Sequence, residues 1–203
     1  MLKSVIDYLL EGEDYRYKSI QNIPKTNNSL LDTILYIIDY IQVNNPTLEI
    51  YNEWFSNKFS KNRNYNYNTR KTLERANVIT VKSDRKLYLT SDILRVIYNI
   101  DKLKLSITLG FLELYQGMIE ILYTCYLFNL HKRAEIYIEW DRRYSKQMIV
   151  SRNSKSQREQ FGIMIRYLKD FGLISINENI IKVNSTQLKI IGSELNNRII
   201  AIN

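Results

Sequence analysis

The chain has 203 residues, of which 45% are hydrophobic and 25% are charged. These ordinary globular proportions exclude a disordered polymer, and the length suits one compact domain or two small ones. The 29 Lys and Arg outnumber the 21 Asp and Glu, so the formal charge of +8 favours a polyanionic partner, although basic surfaces also serve solubility. With only 6 Gly and 2 Pro, the sequence predicts a mainly helical fold with short strands.

The sequence predicts a cytoplasmic protein. Its one cysteine, Cys125, excludes an internal disulfide, and the segment Met1 to Leu10 lacks the apolar core of a signal peptide. The most apolar stretch, residues 107–130, contains Glu113 and Glu120, which are costly in hydrocarbon. We therefore expect this stretch to be a buried helix and expect no membrane contact.

The order of predicted elements divides the chain into three parts. A helical arm covers residues 1–29, a first module with a linker helix covers residues 30–105, and a second module with a C-terminal helix covers residues 106–203. The first module opens with an amphipathic helix from Leu30, which ends before Pro46.

The next two helices of the first module carry most of the functional prediction. Trp54 and Phe55 lie on the apolar side of a second helix. After a polar loop, a third helix is predicted over Asn68 to Ala76, with Asn66 or Asn68 as its N-cap.

A turn and a hairpin follow the third helix of each module. In the first module Asn77 follows the helix, and in the second module Gly172 follows a helix over Ser156 to Phe171. Both residue types tolerate the left-handed conformation that ends helices. The predicted strands are Ile79–Val81 and Lys86–Leu89 in the first module, and Ile174–Ile176 and Ile180–Val183 in the second.

A short repeat supports two copies of one architecture. Glu49–Trp54 matches Glu135–Trp140 at five of six positions, and each copy precedes a polar, basic segment. Three helices followed by a hairpin is the order of a winged helix-turn-helix. The sequence therefore predicts a mainly α fold with short β-hairpins, organised as tandem winged helix-turn-helix modules.

Basic and amide side chains cluster around both third helices and in the first wing. In helix-turn-helix modules the exposed face of the third helix enters the major groove of DNA, while the wing contacts the backbone. An isolated basic run is more often a solvated face, but two runs at equivalent positions favour sequence-specific binding of duplex DNA. The predicted DNA-binding residues are Lys61, Arg63, Asn66, Asn68, Thr69, Arg70, Lys71, Lys82, Arg85 and Lys86 in the first module, with Asn64, Tyr65 and Tyr67 between them, and Arg142, Arg143, Lys146, Arg152, Lys155, Gln157 and Arg158 in the second.

The segment from Asn68 to Ile79, followed by Lys86 to Thr90, resembles the winged-helix modules of prokaryotic restriction enzymes. It is similar in particular to the DNA-recognition region of type IIS restriction and nicking endonucleases, where a Thr-Arg helix, a hydrophobic turn and a wing ending in a Leu-x-Leu-Thr-like strand recur. The resemblance covers about half of the chain and implies site-specific recognition, in a restriction-type system or a transcriptional regulator. The chain departs from the pattern at Asn77, where such modules usually have Gly, and at Ser91-Asp92-Ile93, where a Thr-x-x-Gly often follows the wing.

No recognisable catalytic motif occurs in the sequence. A restriction-type nuclease needs an Asp and a later Glu-x-Lys to hold Mg²⁺, and no Glu-x-Lys is present. With His131 and Cys125 as the only residues of their types, the usual zinc sites are excluded, and a Gly-rich phosphate loop is missing. We predict a non-enzymatic protein without cofactors, with any catalysis supplied by a protein partner.

Two alternatives stay open from the sequence. RNA is a second polyanion that suits the same basic clusters. Winged helices also serve as protein-interaction modules, so an interaction subunit of a nucleic-acid-processing complex fits the same pattern.

Overall fold

A computed structural model of the chain describes residues 20–25, 29–60, 62–143 and 154–202. Within these ranges the chain is mainly helical and contains two antiparallel β-hairpins, which confirms the predicted class of mainly α with short hairpins. The described residues form a compact N-terminal unit, Gln21–Phe111, and a compact C-terminal unit, Leu112–Asn203 together with Ile20. Residues 20–25 are not helical, and most of the predicted arm lies outside the described residues.

Among its described residues, the N-terminal unit has three helices, a hairpin and two further helices. The last helix contains both the predicted module boundary at residues 105 and 106 and the observed division after Phe111. The elements are α1 (Leu30–Asn44), α2 (Leu48–Lys58), α3 (Arg63–Arg75), β1 (Ile79–Val81), β2 (Leu87–Leu89), α4 (Ser91–Val96) and α5 (Ile100–Leu114).

An asparagine cap sets the start of α3. Asn62 Oδ1 accepts hydrogen bonds from the backbone N–H of Asn64 at 3.0 Å and of Tyr65 at 3.3 Å. These N–H groups belong to the first helical turn, where the backbone offers them no acceptor. The predicted cap, Asn66 or Asn68, is therefore wrong, because α3 has already begun before either residue.

The end of α3 and the hairpin behind it agree with the prediction. Asn77 adopts the left-handed conformation with φ 56°, and the Val78 N–H donates to the Leu73 carbonyl at 2.9 Å. This bond closes the last turn of the helix. Strands β1 and β2 then pair antiparallel, with Ile79 opposite Leu89.

The backbone between α1 and α2 pairs with the hairpin as a third strand segment. The Leu87 N–H donates to the Pro46 carbonyl at 2.9 Å, and the Leu48 N–H donates to the Arg85 carbonyl at 2.9 Å. The start of α2 is therefore held against the hairpin that follows α3. The sequence carries no strand prediction for this segment, because it is too short to show an alternating pattern.

In the part of the chain that the structure describes, the C-terminal unit repeats the order of three helices, a hairpin and a further helix. The elements are α6 (Gln116–Leu127), α7 (Arg133–Arg143), α8 (Ser154–Asp170), β3 (Ile174–Asn177), β4 (Ile180–Val183) and α9 (Ser185–Ile202). The third helix and both strands lie close to their predicted positions.

The apolar stretch over residues 107–130 is largely buried, as expected, but it is not one helix. A break at Tyr115 separates α5 from α6. No single helix among the described residues has the length and hydropathy of a membrane span, and Ile100–Leu114 and Gln116–Tyr126 reach that level only when joined across their sharp bend.

The backbone hydrogen bonds of the N-terminal unit recur in the C-terminal unit. The Ile181 N–H donates to the His131 carbonyl at 2.7 Å, and the Arg133 N–H donates to the Asn179 carbonyl at 2.9 Å. The segment between α6 and α7 thus pairs with its hairpin as its counterpart does. Gly172, with φ 72°, ends α8 in the left-handed conformation. The two units are therefore two copies of one backbone arrangement.

The strand segments also establish which residues of the two units are equivalent. Thr47 lies opposite Lys86 in one isolated bridge, and Lys132 lies opposite Ile180 in the other. Thr47 is therefore the counterpart of Lys132, each standing directly before the second helix of its unit.

This equivalence corrects the sequence repeat. One turn into the second helices, Tyr51 corresponds to Ile136, and a further turn on, Phe55 corresponds to Trp140; all four side chains are buried. The match of Glu-Ile-Tyr-x-Glu-Trp, which sets Trp54 opposite Trp140, is out of register by one residue. Burial follows the helical period of the apolar positions, whereas the matching letters include exposed ones.

Gly110 lets α5 lie close to the end of α3. A β-carbon at this position would overlap the carbonyl oxygen of Ala76, which is itself buried. Backbone atoms cannot turn aside as a side chain can, so the close approach requires a residue without a β-carbon.

Replacing Gly110 by alanine should lower the free energy of unfolding by about 2–3 kcal/mol, because the added methyl must push two backbone segments apart. The matched control is Gly162→Ala in α8, where the new β-carbon has its nearest neighbour at 3.6 Å. At position 162, the higher helix propensity of alanine should increase the free energy of unfolding by as much as about 1 kcal/mol. Urea unfolding followed by far-ultraviolet circular dichroism measures both, and equal stability of the two variants would contradict the close packing.

A carboxylic acid lies in the core of the C-terminal unit. Glu120 of α6 is 1% exposed, and its Oε2 has no hydrogen-bond partner among the described residues. Burial raises the pKa of Glu120 to about 8, and the Arg143 guanidinium offsets this only in part. Glu120 is therefore mainly protonated at neutral pH, which avoids a buried charge.

Glu120 should make the protein less stable as pH rises. Its ordinary pKa is 4.5, so between that pH and about 8 the folded state holds a proton that the unfolded state has released. The stabilising effect of this bound proton is complete below pH 4.5, the pKa of Glu120 in the unfolded chain, and is lost as the pH rises through about 8, its pKa in the folded protein. The Glu120→Gln variant stays neutral, so in thermal unfolding its stability relative to wild type should increase from pH 5 to pH 9. Parallel pH profiles of the two proteins would exclude a protonated Glu120.

Candidate nucleic-acid interface

Helix α3 presents a continuous polar face to solvent. Asn64, Tyr67, Asn68, Lys71 and Arg75 follow one another at helical spacing and are exposed or half-exposed. We call these residues the α3 stripe. The stripe combines cations, amides and an aromatic ring, which are groups that contact phosphates, base edges and base faces.

Four predicted DNA-binding residues of α3 lie outside the stripe, and of these only Arg63 is exposed. The sequence predicts Asn66, Thr69 and Arg70 on the exposed face, but they are only 4%, 0% and 7% exposed. This placement was wrong because nearly every residue of α3 is polar, so no apolar spacing marks its inward face. Asn66 Nδ2 donates instead to Asn52 Oδ1 of α2 at 3.0 Å, and Thr69 Oγ1 donates to the Tyr65 carbonyl at 2.9 Å.

Arg70 belongs to a network of ion pairs within α3. Its Nη1 contacts one carboxylate oxygen of Glu74, and Lys71 Nζ binds the other at 2.6 Å. The Arg70 guanidinium also lies over the Tyr67 ring, 5.3 Å from the centroid. Tyr51 of α2 interacts electrostatically with Arg70, and burial raises the pKa of the Tyr51 hydroxyl. Arg70 is therefore held against other side chains of α3, whereas Lys71 lies at the edge of the stripe.

The hairpin β1–β2 carries three further predicted residues of the N-terminal unit, Lys82, Arg85 and Lys86. The Arg85 side chain is 72% exposed and pairs with Glu49 Oε1 at 2.5 Å. Lys82 lies over the Tyr88 ring at 4.3 Å, and Lys86 is half-buried. An exposed ion pair costs little to open, so the tip of the hairpin can present Arg85 to a polyanion.

The counterpart of the α3 stripe in α8 has different chemistry. The carbonyl oxygens of Leu73 and Leu168 each accept the backbone hydrogen bond that closes the last turn of their helix. Leu73 of α3 and Leu168 of α8 are therefore equivalent positions. Carboxylates replace one amide and one cation of the stripe, and an isoleucine replaces the other amide. The basic chemistry of the α3 stripe is therefore not repeated at the equivalent positions of α8. The counterparts are Glu159, Gly162, Ile163, Arg166 and Asp170.

The other predicted residues of the C-terminal unit occupy mixed environments. Arg142 pairs with Glu139 at 2.7 Å, and Arg143 is half-buried over an aromatic ring. At the start of α8, Arg158 is exposed and Gln157 is half-exposed. Lys61, Lys146, Arg152 and the side chain of Lys155 lie outside the described residues.

The sequence reasoning missed Arg75 and the contribution of α2. Arg75 follows Lys71 at helical spacing, a signal that was present once the extent of α3 was known. The α2 residues Asn52, Glu53 and Ser56 line a cleft of about 430 Å³ beside α3. No sequence pattern indicates this cleft, because it forms only where two helices pack.

Comparison of the chain with protein-family models, with curated proteins and with solved structures found no match. Among the residues that the structure describes, no three His, Cys, Asp or Glu side chains come close enough together to hold a metal ion. The candidate interface is therefore defined by the geometry of α3 and its hairpin.

Glu74 should matter more for stability than an exposed carboxylate does. The Glu74→Leu variant leaves Arg70, whose side chain is 9% exposed, without its ionic partner, so the free energy of unfolding should fall by about 3 kcal/mol. The control Glu49→Leu breaks the exposed pair with Arg85 and should cost less than about 1 kcal/mol. Urea unfolding of the two variants tests this difference. Equal decreases in the free energy of unfolding would show that the Arg70–Glu74 pair stabilises the protein no more than an exposed ion pair does.

Proposed function

We propose that the chain binds duplex DNA through tandem winged helix-turn-helix modules, with α3 of the first module entering the major groove. Each unit has three helices and a hairpin, and the segment before the second helix pairs with the hairpin. This is the element order of a winged helix. The α3 stripe is the single observation that carries the proposal, because it consists of exposed amides and cations on the third helix.

The stripe suits contact with a duplex. Asn64 and Asn68 supply amides of the kind that pair with adenine, and Lys71 and Arg75 supply cations for phosphates or guanine. A single α-helix fits the major groove, which is about 12 Å wide. Arg85 at the hairpin tip lies in the element that contacts the backbone in winged helices.

The two modules contribute unequally in this proposal. Glu159 and Asp170 of α8 repel phosphates, so Arg158 and Arg166 are left to make backbone contacts. We assign reading of the base sequence to the first module. The role is recognition, in a restriction-type system or a transcriptional regulator, with any catalysis supplied by a partner protein.

The double variant Lys71→Ala/Arg75→Ala tests the stripe. Its affinity for duplex DNA should fall by at least about tenfold, because two cations next to the DNA are lost. The slope of log affinity against log salt concentration should also decrease, by up to about 2. Fluorescence anisotropy with labelled duplex DNA at several salt concentrations measures both quantities.

The matched control removes two exposed cations outside the stripe, Lys102→Ala/Lys104→Ala in α5, which lowers the net charge by the same amount. Its affinity should stay within about threefold of wild type. Duplex RNA should bind more weakly than DNA, because its narrow major groove excludes a helix. If the Lys71→Ala/Arg75→Ala variant binds duplex DNA as tightly as wild type does, the assignment of α3 to the major groove is overturned.

Protein binding is a second candidate function, favoured by apolar side chains after the hairpin. Leu94, Tyr98 and Ile100 are 53%, 94% and 51% exposed within one short stretch. Exposed apolar groups of this kind mark surfaces for protein partners. A chain that binds neither duplex DNA nor duplex RNA in the anisotropy experiment would favour this function.

A further inference from the structure

Asparagine occurs at every second position around the start of α3. Asn62 and Asn66 are engaged in the fold, because Asn62 Oδ1 caps the helix and Asn66 Nδ2 donates to Asn52 Oδ1 at 3.0 Å. Asn64 and Asn68 lie on the α3 stripe, where Asn64 is exposed and Asn68 is half-exposed. Neither of these two side-chain amides makes a hydrogen bond to the described residues. Both are therefore available to a ligand.

The amides and the cations occupy different parts of the stripe. Asn64 and Asn68 lie in the first half of α3, whereas Lys71 and Arg75 lie in its second half. In helix-turn-helix modules the N-terminal residues of the recognition helix contact base edges. Cations bind phosphates without regard to the base sequence. The first half of the stripe is therefore placed to read bases, and the second half is placed to hold the helix on the backbone.

An asparagine amide matches adenine better than it matches the other three bases. Its Nδ2 donates a hydrogen bond while its Oδ1 accepts one. In the major groove adenine presents the N7 acceptor next to its N6 amino donor. Guanine presents two acceptors there, cytosine presents a donor, and thymine presents an acceptor beside a methyl group. Adenine is thus the base that binds both atoms of the amide at once.

The spacing of Asn64 and Asn68 suits two contacts within one groove. Residues four apart lie on the same face of an α-helix, and four residues rise by about 6 Å. Successive nucleotides of one DNA strand are about 3.4 Å apart along the duplex. A helix that lies along the groove therefore places the two amides about two base pairs apart.

We propose that the first module reads two adenines, about two base pairs apart, through Asn64 and Asn68. In each contact Nδ2 donates to adenine N7, and Oδ1 accepts from the adenine amino group. This reading of adenine rests on the proposed entry of α3 into the major groove. It adds the class of target, which is a duplex with A·T pairs where α3 lies.

The first experiment compares a duplex of A·T pairs with a G·C duplex of the same length, by fluorescence anisotropy at one salt concentration. Wild type should bind the A·T duplex at least about tenfold more tightly, because each bidentate contact discriminates by about fivefold or more. Asn64→Ala/Asn68→Ala should reduce this ratio below about twofold, while its affinity for the G·C duplex stays within about threefold of wild type. Equal binding of the two duplexes by wild type, or a preference for G·C pairs, would overturn the inference.

The matched control is Asn44→Ala/Asn57→Ala, which removes two exposed asparagines outside α3. This variant should keep the wild-type preference for A·T pairs. Circular dichroism verifies the fold of each variant. An A·T preference that survives in Asn64→Ala/Asn68→Ala would come from the shape of the DNA rather than from the amides, and the assignment of the two asparagines would be wrong.

A duplex that contains 7-deazaadenine tests the predicted atoms. This base still pairs with thymine, but a C–H group replaces the N7 acceptor in the major groove. Wild type should bind the substituted A·T duplex at least about fivefold more weakly than the unsubstituted one. Asn64→Ala/Asn68→Ala should bind the two duplexes equally. If wild type does not distinguish them, adenine N7 is not contacted and the inference is overturned.

The groove contact and the reading of adenine fail in different ways. If Lys71→Ala/Arg75→Ala weakens binding to both duplexes while wild type shows no A·T preference, α3 contacts DNA without reading adenine. In that case only the assignment of Asn64 and Asn68 is overturned. If Lys71→Ala/Arg75→Ala binds both duplexes as wild type does, the proposed groove contact is overturned as well.

Discussion

Backbone pairing between the second helix and the hairpin organises the N-terminal unit. The bonds from Leu87 to Pro46 and from Leu48 to Arg85 tie the start of α2 to the hairpin that leaves α3. They also satisfy backbone groups that would otherwise be left without partners between elements. The C-terminal unit forms the same bonds, as between Ile181 and His131, with different side chains. A backbone arrangement is thus what the two units share.

Helix α3 has to serve both stability and surface chemistry with almost entirely polar residues. Its inward face carries the buried Leu73 and is joined to α2 by Asn66 on Asn52, while the buried Arg70 pairs with Glu74 within the helix. Such buried polar contacts are costly to leave incomplete, so they restrict how the helix can sit. The same restriction positions the outward stripe and leaves the cleft beside α2.

A common backbone arrangement does not give the two third helices a common surface. Equivalent positions carry Asn64 in α3 but Glu159 in α8, and Arg75 in α3 but Asp170 in α8. Surface residues contribute little to the packing of a fold, so they can diverge while the core pattern is kept. Duplex DNA binding is therefore proposed to depend on one module more than on the other.

The sequence by itself determined the features that depend on neighbouring residues. Asn77 and Gly172 marked the ends of the third helices, because few residue types tolerate positive φ, and β-branched segments marked the hairpins. Only the tertiary structure decided which face of α3 is buried, how the two copies align, and where the cleft lies. These features depend on contacts between residues far apart in the chain, such as Asn52 with Asn66. Leu73 is the only aliphatic side chain of α3, so apolar spacing alone did not show that Asn66, Thr69 and Arg70 lie on its buried face.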